Sequence, residues 1–411
     1  ESFGGPEPSE RSGPGRVTYV DFGVRTEERI PEGVSNRVPM ISAMPARFRS
    51  LYPHDLDMWY DNGADGVWTG RIRFGKETAT TTYDGHEFYF TLHDESTGRT
   101  GKKGKEVMRY KMSRTQSFYI LEDRDMNHPK APTAEQQKVI DETYKEVAYM
   151  EAYYERTGEL YYASCRDADG KFRPRPRPIH YMWPADHIGQ VHSVQTVEGY
   201  VRCSGPAARC QDATGPKLEL EVLSNKPRAF VIKDFLSDFE AQEVINESRS
   251  HLTRSSVGEG ENSGGSETRT SENTWLPREK SDVTRALFKR AADLLQIDEK
   301  LISNGGNGIA EQMQVVHYQD GQRYDPHYDW GATRHADRYI TLLLYLTDMA
   351  GPDAGGQTSF PRGQGRDGKS FKIHPGARSA VLFYNLLPDG NTDDASLHSA
   401  TSVTKGEKFL A

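Results

Sequence analysis

The sequence is poor in the features that mark several large classes of protein. Three cysteines among 411 residues exclude a disulfide-dense scaffold, and none of them forms the CxxC pairs of a zinc ribbon. No apolar run approaches the ~20 residues that cross a bilayer, since the longest candidate, Ile340 to Leu346, has the length of a strand. The net charge of −8 argues against a general nucleic-acid-binding protein. These absences predict a globular chain with no membrane span and no nucleic-acid partner, and they carry no signal for the oligomeric state.

Two of the cysteines, Cys203 and Cys210, lie close enough in sequence to close a short loop. A disulfide and two free thiols are equally compatible with that spacing, and an oxidising compartment would favour the bond. The sequence leaves the pairing open.

Composition divides the N-terminal half into a leader, a module and a linker. Residues 1–16 are rich in Gly, Pro, Ser and charge and are expected to be a flexible leader. Residues 17–165 are predicted to form a β-rich module that closes with one long helix, because Thr133 and Gln136 form a capping-box pattern and Gly158 supplies a stop. Residues 166–216 alternate Pro with Arg from Phe172 to Pro178. They are interpreted as an interdomain linker, although a docking surface for acidic or proline-rich partners uses the same composition.

One segment of the module has a recognisable likeness. The turn Tyr83-Asp84-Gly85 separates alternating strands that are predicted over 67–74 and 87–92. The stretch from Trp59 to Leu92, above all Thr82-Tyr83-Asp84-Gly85-His86-Glu87-Phe88, resembles the von Hippel-Lindau β domain, a small sandwich that recognises hydroxyproline peptides. The resemblance implies a small β sandwich in this module.

The C-terminal domain, residues 217–411, is predicted from its dense short strands. Helices are expected over Ser237 to Ser250 and Ser281 to Gln296, and the polar, glycine-containing loop 254–274 is interpreted as a lid. Strands without alternating helices indicate a double-sheet jelly roll with helices packed on one face, so the fold class is α+β, mostly β. The predicted strands lie over 218–222, 229–232, 312–318, 324–330, 340–346, 370–373, 379–384 and 401–404.

A metal site is predicted in the strand Tyr324 to Trp330. Side chains alternate faces along a strand, so His327 and Asp329 point the same way and can hold one ion. Iron in a two-histidine, one-carboxylate arrangement needs a second histidine, which we assign to His398. Lys408, ten residues later, can bind a distal carboxylate at a fixed distance from the metal, which predicts a dicarboxylate co-substrate.

Six sequence blocks of this domain follow one another in order. They are Lys226-Pro227-Arg228-Ala229-Phe230-Val231-Ile232, Arg269-Thr270-Ser271, Gln314-Val315-Val316-His317-Tyr318, Gly321-Gln322-Arg323-Tyr324-Asp325-Pro326-His327-Tyr328-Asp329, Gly355-Gly356-Gln357-Thr358-Ser359-Phe360-Pro361, and Leu397-His398 through Gly406-Glu407-Lys408. In these blocks the domain resembles the catalytic domain of the prolyl 4-hydroxylase α-subunit family, iron(II) and 2-oxoglutarate dioxygenases on a double-stranded β-helix.

The resemblance implies roles for individual residues. His327, Asp329 and His398 would ligate iron(II), and Lys408 with Thr358 would bind the far carboxylate of 2-oxoglutarate, assisted by Tyr318. Further matching positions line the peptide channel in the family, and they are Arg269, Ser271, Glu311, Tyr324 and Arg338. Histidines without a same-face carboxylate and a downstream lysine are given structural roles, among them His317, His335 and His374.

The activity that the resemblance implies is hydroxylation of peptidyl proline to 4-hydroxyproline, with O2 as the second co-substrate, succinate and CO2 as products, and ascorbate as an expected reductant. The expected partner is a proline-rich or collagen-like peptide or protein. A dioxygenase of the same fold that acts on a free amino acid or another side chain, and a non-catalytic peptide-binding module, remain alternatives. Family habit and a first residue that is not methionine favour the secretory pathway, in the lumen of the endoplasmic reticulum or the Golgi.

Overall fold

The computed structural model describes residues 43–98, 101–123, 131–163, 165–257, 264–265, 268–302, 309–331, 338–351 and 353–411. These residues form two compact units that divide between Arg175 and Pro176. Strands outnumber helices in both units, which confirms the prediction of a mostly β chain. Within the described residues, no helix is long and apolar enough to cross a membrane. The leader predicted over 1–16 lies outside the described residues.

The N-terminal unit has two main sheets and one long helix. One sheet has the order β4-β1-β7 and the other the order β3-β2-β5-β6, and β8 pairs with β9. Aromatic side chains such as Phe48 and Phe90 are completely buried in its core. Its elements are β1 (Ala43–Ser50), β2 (Leu56–Tyr60), β3 (Val67–Ile72), β4 (Glu77–Tyr83), β5 (Glu87–Leu92), β6 (Glu106–Lys111), β7 (Phe118–Leu121), α1 (Ala134–Thr157), β8 (Cys165–Arg166) and β9 (Phe172–Arg173).

The predicted long helix is confirmed as α1. The Thr133 hydroxyl accepts a hydrogen bond from the backbone N–H of Gln136, whose side chain in turn accepts from the Thr133 backbone N–H. Gly158 ends the helix with φ of 71°, a left-handed conformation that glycine adopts without steric cost.

The C-terminal unit begins with β10 (Val191–Gln195), α2 (Ala207–Cys210), β11 (Lys217–Asn225), β12 (Arg228–Ile232), α3 (Asp238–Arg249), β13 (Thr253–Arg254), β14 (Ser256–Val257), β15 (Gly264–Gly265), β16 (Glu272–Leu276) and α4 (Asp282–Leu295). It continues with β17 (Met313–Tyr318), β18 (Tyr324–His327), β19 (Ile340–Leu344), β20 (Thr358–Phe360), β21 (Phe371–Ile373), β22 (Ala380–Tyr384), β23 (His398–Ala400) and β24 (Lys408–Leu410).

Three sheets organise this unit. Their strand orders are β10-β11-β12-β22-β19, β13-β16-β17-β24 and β18-β23-β20-β21. The predicted helices are confirmed as α3 and α4, because Ser237 and Ser281 each cap a helix through the backbone N–H three residues later. Both helices contribute buried apolar side chains to the same core as the first sheet.

The segment predicted as a linker contributes to this unit. Strand β10 pairs with β11, with Val194 opposite Leu218, and the Trp183 side chain is buried. The sequence hides this strand because only its two valines are apolar, so the alternating pattern is weak. Cys203 and Cys210 form a disulfide, which resolves the alternative that the sequence left open.

The prediction of a strand over 401–404 is wrong. Pairing instead involves β23, and beyond it the backbone N–H of Thr401 donates to the carbonyl of Gln357 while that of Val403 donates to Gln322. Of the loop predicted as a lid, residues 258–263 and 266–267 lie outside the described residues, and β14 pairs with β15 on either side of the first gap.

Candidate functional site

Two short antiparallel strands bring the predicted metal ligands together. His327 at the end of β18 lies opposite His398 at the start of β23. One ligand atom from each of His327, Asp329 and His398 lies within 4.8 Å of the others, and Asp329 Oδ2 lies 3.8 Å from His398 Nε2. Two imidazoles and a carboxylate at this spacing could hold an iron(II) ion on one face.

The strand that carries the first two ligands is shorter than predicted. Extension to Trp330 is wrong, because β18 ends at His327 and Asp329 lies in the bend that follows. The end of β18 follows from its partner strand. β23 starts at His398, one residue after the helical turn Asp394–Ser396, so no further strand residue is available to pair with β18. Asp329 therefore reaches the site through the bend and not through strand alternation.

Backbone carbonyls orient both imidazoles. His327 Nδ1 donates to the carbonyl of Asp325 at 2.8 Å, and His398 Nδ1 donates to the carbonyl of Ser396 at 3.0 Å. These bonds assign the neutral tautomers and leave each Nε2 with a free lone pair for a metal. The Tyr324 ring stacks on the His327 ring with a centroid distance of 3.6 Å, which further restricts the ring.

The Asp329 carboxylate is held from both sides. Arg338 donates to Oδ1 at 2.6 Å, and the Thr341 hydroxyl donates to Oδ2 at 2.6 Å. Glu311 accepts two hydrogen bonds from the Arg338 guanidinium at 2.6 and 2.8 Å. The Asn385 amide donates to the Thr341 hydroxyl at 2.9 Å. The side chain is therefore oriented without help from a metal.

Charges in the site keep the ligands in the forms that a metal requires. Burial alone would raise the pKa of Asp329, but His398 and Arg338 together hold that pKa below its ordinary value. Burial, aided by His398, lowers the pKa of His327 to about 3. At neutral pH the carboxylate is ionised and the His327 ring is neutral, as metal coordination demands.

The predicted co-substrate lysine, Lys408, is buried beside the rings of Tyr318 and Tyr345, and these three residues define the lysine pocket. Lys408 begins β24 and lies opposite Tyr318 of β17. Its side chain is completely buried, and its Nζ has no hydrogen-bond partner among the described residues. Nζ lies 5.4 Å from the ring centroids of both Tyr318 and Tyr345. Burial lowers the pKa of Lys408 to about 7.

The other predicted co-substrate residue lies beside this lysine pocket. Thr358 of β20 forms a 2.6 Å hydrogen bond with the hydroxyl of Tyr345. It also pairs with Ala400 of β23, two residues beyond His398, so a single strand pair connects the lysine pocket with the metal ligands. A buried ammonium beside the ring of Tyr345, whose hydroxyl bonds to Thr358, fits a carboxylate such as the distal carboxylate of 2-oxoglutarate.

The residues predicted to line a peptide channel fall into two groups. Arg269 lies 4.7 Å above the Tyr324 ring, and its Nε lies 3.4 Å from the Ser271 hydroxyl. Ser271 itself is completely buried. The second group is the pair Glu311 and Arg338, both of which are partly exposed.

Sequence reasoning missed four polar residues around the site. Thr341 holds Asp329, Asn385 in turn holds Thr341, Tyr345 bonds to Thr358, and His374 packs edge-on against Tyr345. Thr341 and Tyr345 lie in an apolar run that predicts only a buried strand, so nothing local marks their polar side chains as functional.

The rival histidines that the structure describes do not belong to a second metal-binding group. His317 lies between two glutamates, at 2.9 Å from Glu407 and 3.4 Å from Glu272, and stacks on Phe409. His335 lies outside the described residues. Across the part of the chain that the structure describes, the group of His327, Asp329 and His398 is the one set of three such side chains close enough to hold an ion.

Comparison with known proteins agrees with this geometry. A model of the 2OG-Fe(II) oxygenase superfamily matches residues 313–411. Prolyl 4-hydroxylase 5 of Arabidopsis thaliana is 34% identical over 230 residues, which cover 51% of this chain and 75% of that protein. Probable prolyl 4-hydroxylase 3 of the same plant is 34% identical over 211 residues, which cover 46% of this chain and 69% of that protein.

Among solved structures, a viral collagen prolyl hydroxylase from Paramecium bursaria Chlorella virus-1, in complex with 2OG, is 25% identical. The match covers 44% of this chain and 92% of that chain with a TM-score of 0.34.

Proposed function

This chain belongs to the prolyl 4-hydroxylase family of 2-oxoglutarate- and iron(II)-dependent dioxygenases, and we propose which residues carry out its peptidyl-proline hydroxylation. When bound, iron(II), 2-oxoglutarate and O2 supply the oxidation, in which 2-oxoglutarate becomes succinate and CO2 while one oxygen atom enters the proline ring. The product is 4-hydroxyproline. One observation carries the proposal: a buried lysine beside Tyr345 accompanies a preformed metal-binding triad, and the Tyr345 hydroxyl bonds to Thr358 on the strand that pairs with the His398 strand.

The Nε2 atoms of His327 and His398 and the carboxylate of Asp329 would hold iron(II). The two backbone carbonyls that accept from the Nδ1 atoms support this assignment, because they leave both Nε2 lone pairs free for a metal. Arg338 and Thr341 restrain the carboxylate and reduce the reorganisation that binding requires.

The distal carboxylate of 2-oxoglutarate binds to Lys408 and Thr358, with Tyr318 at the wall of the pocket. The complete burial of Lys408 supports this role, because an ammonium without a partner has a high free energy in the protein interior. The co-substrate carboxylate then supplies the missing counter-charge.

Arg269, Tyr324, Glu311 and Arg338 line the channel for the peptide. Tyr324 supports this assignment, because its ring stacks on a metal ligand and so adjoins the reacting centre. Ser271 is completely buried and positions Arg269 through its hydroxyl. An extended peptide with a polyproline-like conformation suits such a channel, and collagen-like and proline-rich sequences are the proposed substrates.

The three sheets of the C-terminal unit are proposed to close as a double-stranded β-helix, and residues 217–411 to form the catalytic domain. The N-terminal module is proposed to select or present the substrate. Ascorbate as a reductant and a location in the secretory pathway are part of the same proposal, and the Cys203–Cys210 disulfide supports an oxidising compartment.

A binding experiment tests the catalytic assignment. Anaerobic addition of iron(II) and 2-oxoglutarate to the wild-type chain is expected to give a metal-to-ligand charge-transfer absorption band. The band should disappear in His327→Ala and persist in the matched control His251→Ala, which removes an exposed histidine of the same unit. A band that survives in His327→Ala would contradict the metal site.

Mass spectrometry tests the substrate. The chain is incubated with iron(II), 2-oxoglutarate and O2 together with poly-proline, collagen-like Gly-X-Pro or Ser-Pro peptides, and at least one is expected to gain an oxygen atom on proline. Oxidation of free amino acids alone, with none of the peptides modified, would overturn the peptide substrate and favour the alternative dioxygenase.

A further inference from the structure

A half-buried histidine near Lys408 has no role in the site described above. His374 directly follows β21, and the last residue of that strand, Ile373, lies opposite Thr358. The His374 ring meets the Tyr345 ring edge-on, with a centroid distance of 4.9 Å and an interplanar angle of 73°. Its Nε2 is buried, and the part of the chain that the structure describes offers it no hydrogen-bond partner.

The protonation state of this ring follows from its other nitrogen. The backbone N–H of Gly376 donates to His374 Nδ1 at 3.3 Å, so Nδ1 is an acceptor and the neutral ring carries its proton on Nε2. Burial, followed by the charge of Lys408, lowers the pKa of His374 to about 4. The ring is therefore neutral at physiological pH, and Nε2 is a buried donor that lacks an acceptor.

Two buried hydrogen-bond donors thus lie around the side chain of Tyr345. Lys408 Nζ and His374 Nε2 are both buried and unpartnered, and Tyr345 contacts both side chains while its hydroxyl bonds to Thr358. Burial of a donor without an acceptor is unfavourable, and native proteins rarely tolerate it without a functional reason. A carboxylate has lone pairs for several donors, so one carboxylate group can satisfy both of them.

We propose that His374 donates its Nε2 hydrogen to the distal carboxylate of 2-oxoglutarate, alongside Lys408, and thereby determines the affinity of the chain for dicarboxylate 2-oxoacids. This inference rests on the proposed function, because it assumes that 2-oxoglutarate occupies the lysine pocket. His374 would be a co-substrate-binding residue in addition to Lys408 and Thr358.

Packing alone is the competing account, since the ring also fills space against Tyr345. Two substitutions separate the accounts. His374→Leu removes the donor and keeps an apolar side chain, whereas His374→Gln removes the aromatic packing and places an amide donor close to the original Nε2. Two ligands add a second comparison, because 2-oxobutyrate keeps the 2-oxoacid group of 2-oxoglutarate and lacks its distal carboxylate.

The experiment is anaerobic calorimetry on the full-length chain loaded with manganese(II), so that the measured quantity is affinity and not turnover. His374→Leu is expected to weaken 2-oxoglutarate binding by about tenfold to a hundredfold, the range for a hydrogen bond to a charged group. His374→Gln is expected to recover most of that loss, and both variants should bind 2-oxobutyrate and manganese(II) as the wild type does.

Three outcomes would overturn the proposal. Unchanged 2-oxoglutarate affinity in His374→Leu would overturn the inference and leave the proposed function intact. Equal losses in both variants and for both ligands would assign the effect to packing. Failure of the wild type to bind 2-oxoglutarate would overturn the proposed function and the inference with it.

Discussion

Two fully buried cations in the C-terminal unit differ in their partners. Arg290 of α4 forms a bidentate ion pair with Glu240 of α3 at 2.8 and 3.0 Å, and its terminal nitrogens also donate to the carbonyls of Phe235 and Gly199. Lys408 of β24 is equally buried, and no described residue bonds to its Nζ. The first cation stabilises the fold through contacts that the chain supplies itself. The second lacks an anionic partner among the described residues, which supports the proposal that a carboxylate binds there.

The comparison predicts opposite effects of the same substitution, and the largest effect is expected at the paired cation. Arg290→Met leaves the Glu240 carboxylate buried without its counter-charge, so the free energy of unfolding should fall by about 3–5 kcal/mol. Urea denaturation of the wild type and of Arg290→Met measures this difference in the free energy of unfolding. Arg285→Met is the matched control, because Arg285 lies on the same helix with its side chain 40% exposed and pairs with Asp282, and there the change should stay within about 0.5 kcal/mol. Equal losses of stability in Arg290→Met and Arg285→Met would contradict the stabilising role of the buried Arg290–Glu240 pair.

Lys408→Met should act in the opposite direction on stability. The substitution removes a buried ammonium whose pKa is lowered to about 7, so the ligand-free chain should be stabilised. A gain of about 2 kcal/mol corresponds to a rise in Tm of about 4–8 °C for a unit of this size. Differential scanning fluorimetry measures Tm, and calorimetry on the same variant should show that 2-oxoglutarate binding is lost. A lower Tm together with retained binding would mean that Lys408 supports the fold.

The smallest effect is a pH dependence of co-substrate binding. The free pocket has a Lys408 pKa of about 7, and a bound carboxylate raises that pKa, so above pH 7 binding must take up one proton. The affinity for 2-oxoglutarate should therefore fall by about tenfold per pH unit above pH 7, until the pKa of the complex is reached. His374 does not contribute, because its pKa of about 4 keeps it neutral across this range.

Calorimetry in two buffers of different ionisation enthalpy counts the protons taken up on binding. An uptake close to one proton at pH 8 is expected for the wild type. Affinity that is independent of pH, with no proton uptake, would show that Lys408 is already charged in the free pocket and would weaken the contrast with Arg290.

Much of the fold and of the metal site could be predicted from the sequence, because these features depend on residues that are close together in the chain. The ends of α1, α3 and α4 follow from side chains that bond to the backbone three residues away, so Thr133, Ser237 and Ser281 identify them without tertiary information. The motif around His327 and the interval from His398 to Lys408 identified the family, and the comparisons confirm that prediction.

Other features depend on residues that are distant in sequence. Asp329 meets the two histidines because a bend, Arg338 and Thr341 turn it inward, whereas strand alternation was the wrong reason. Strand β10 was missed because its alternation of apolar and polar residues is weak, and the segment forms a strand by pairing with β11. His374 was given a structural role, since a histidine without neighbouring ligands carries no local signal for a binding site.

The sequence by itself therefore determined the chemical groups of the site, the helix ends and the family, because these depend on residue identity and short spacings. Only the tertiary structure decided which cation has a partner. Arg290 and Lys408 look alike in the sequence, and the difference between them arises from burial and from the groups that long-range packing places around each side chain. That packing makes one cation part of the core and buries the other where we propose that a carboxylate binds.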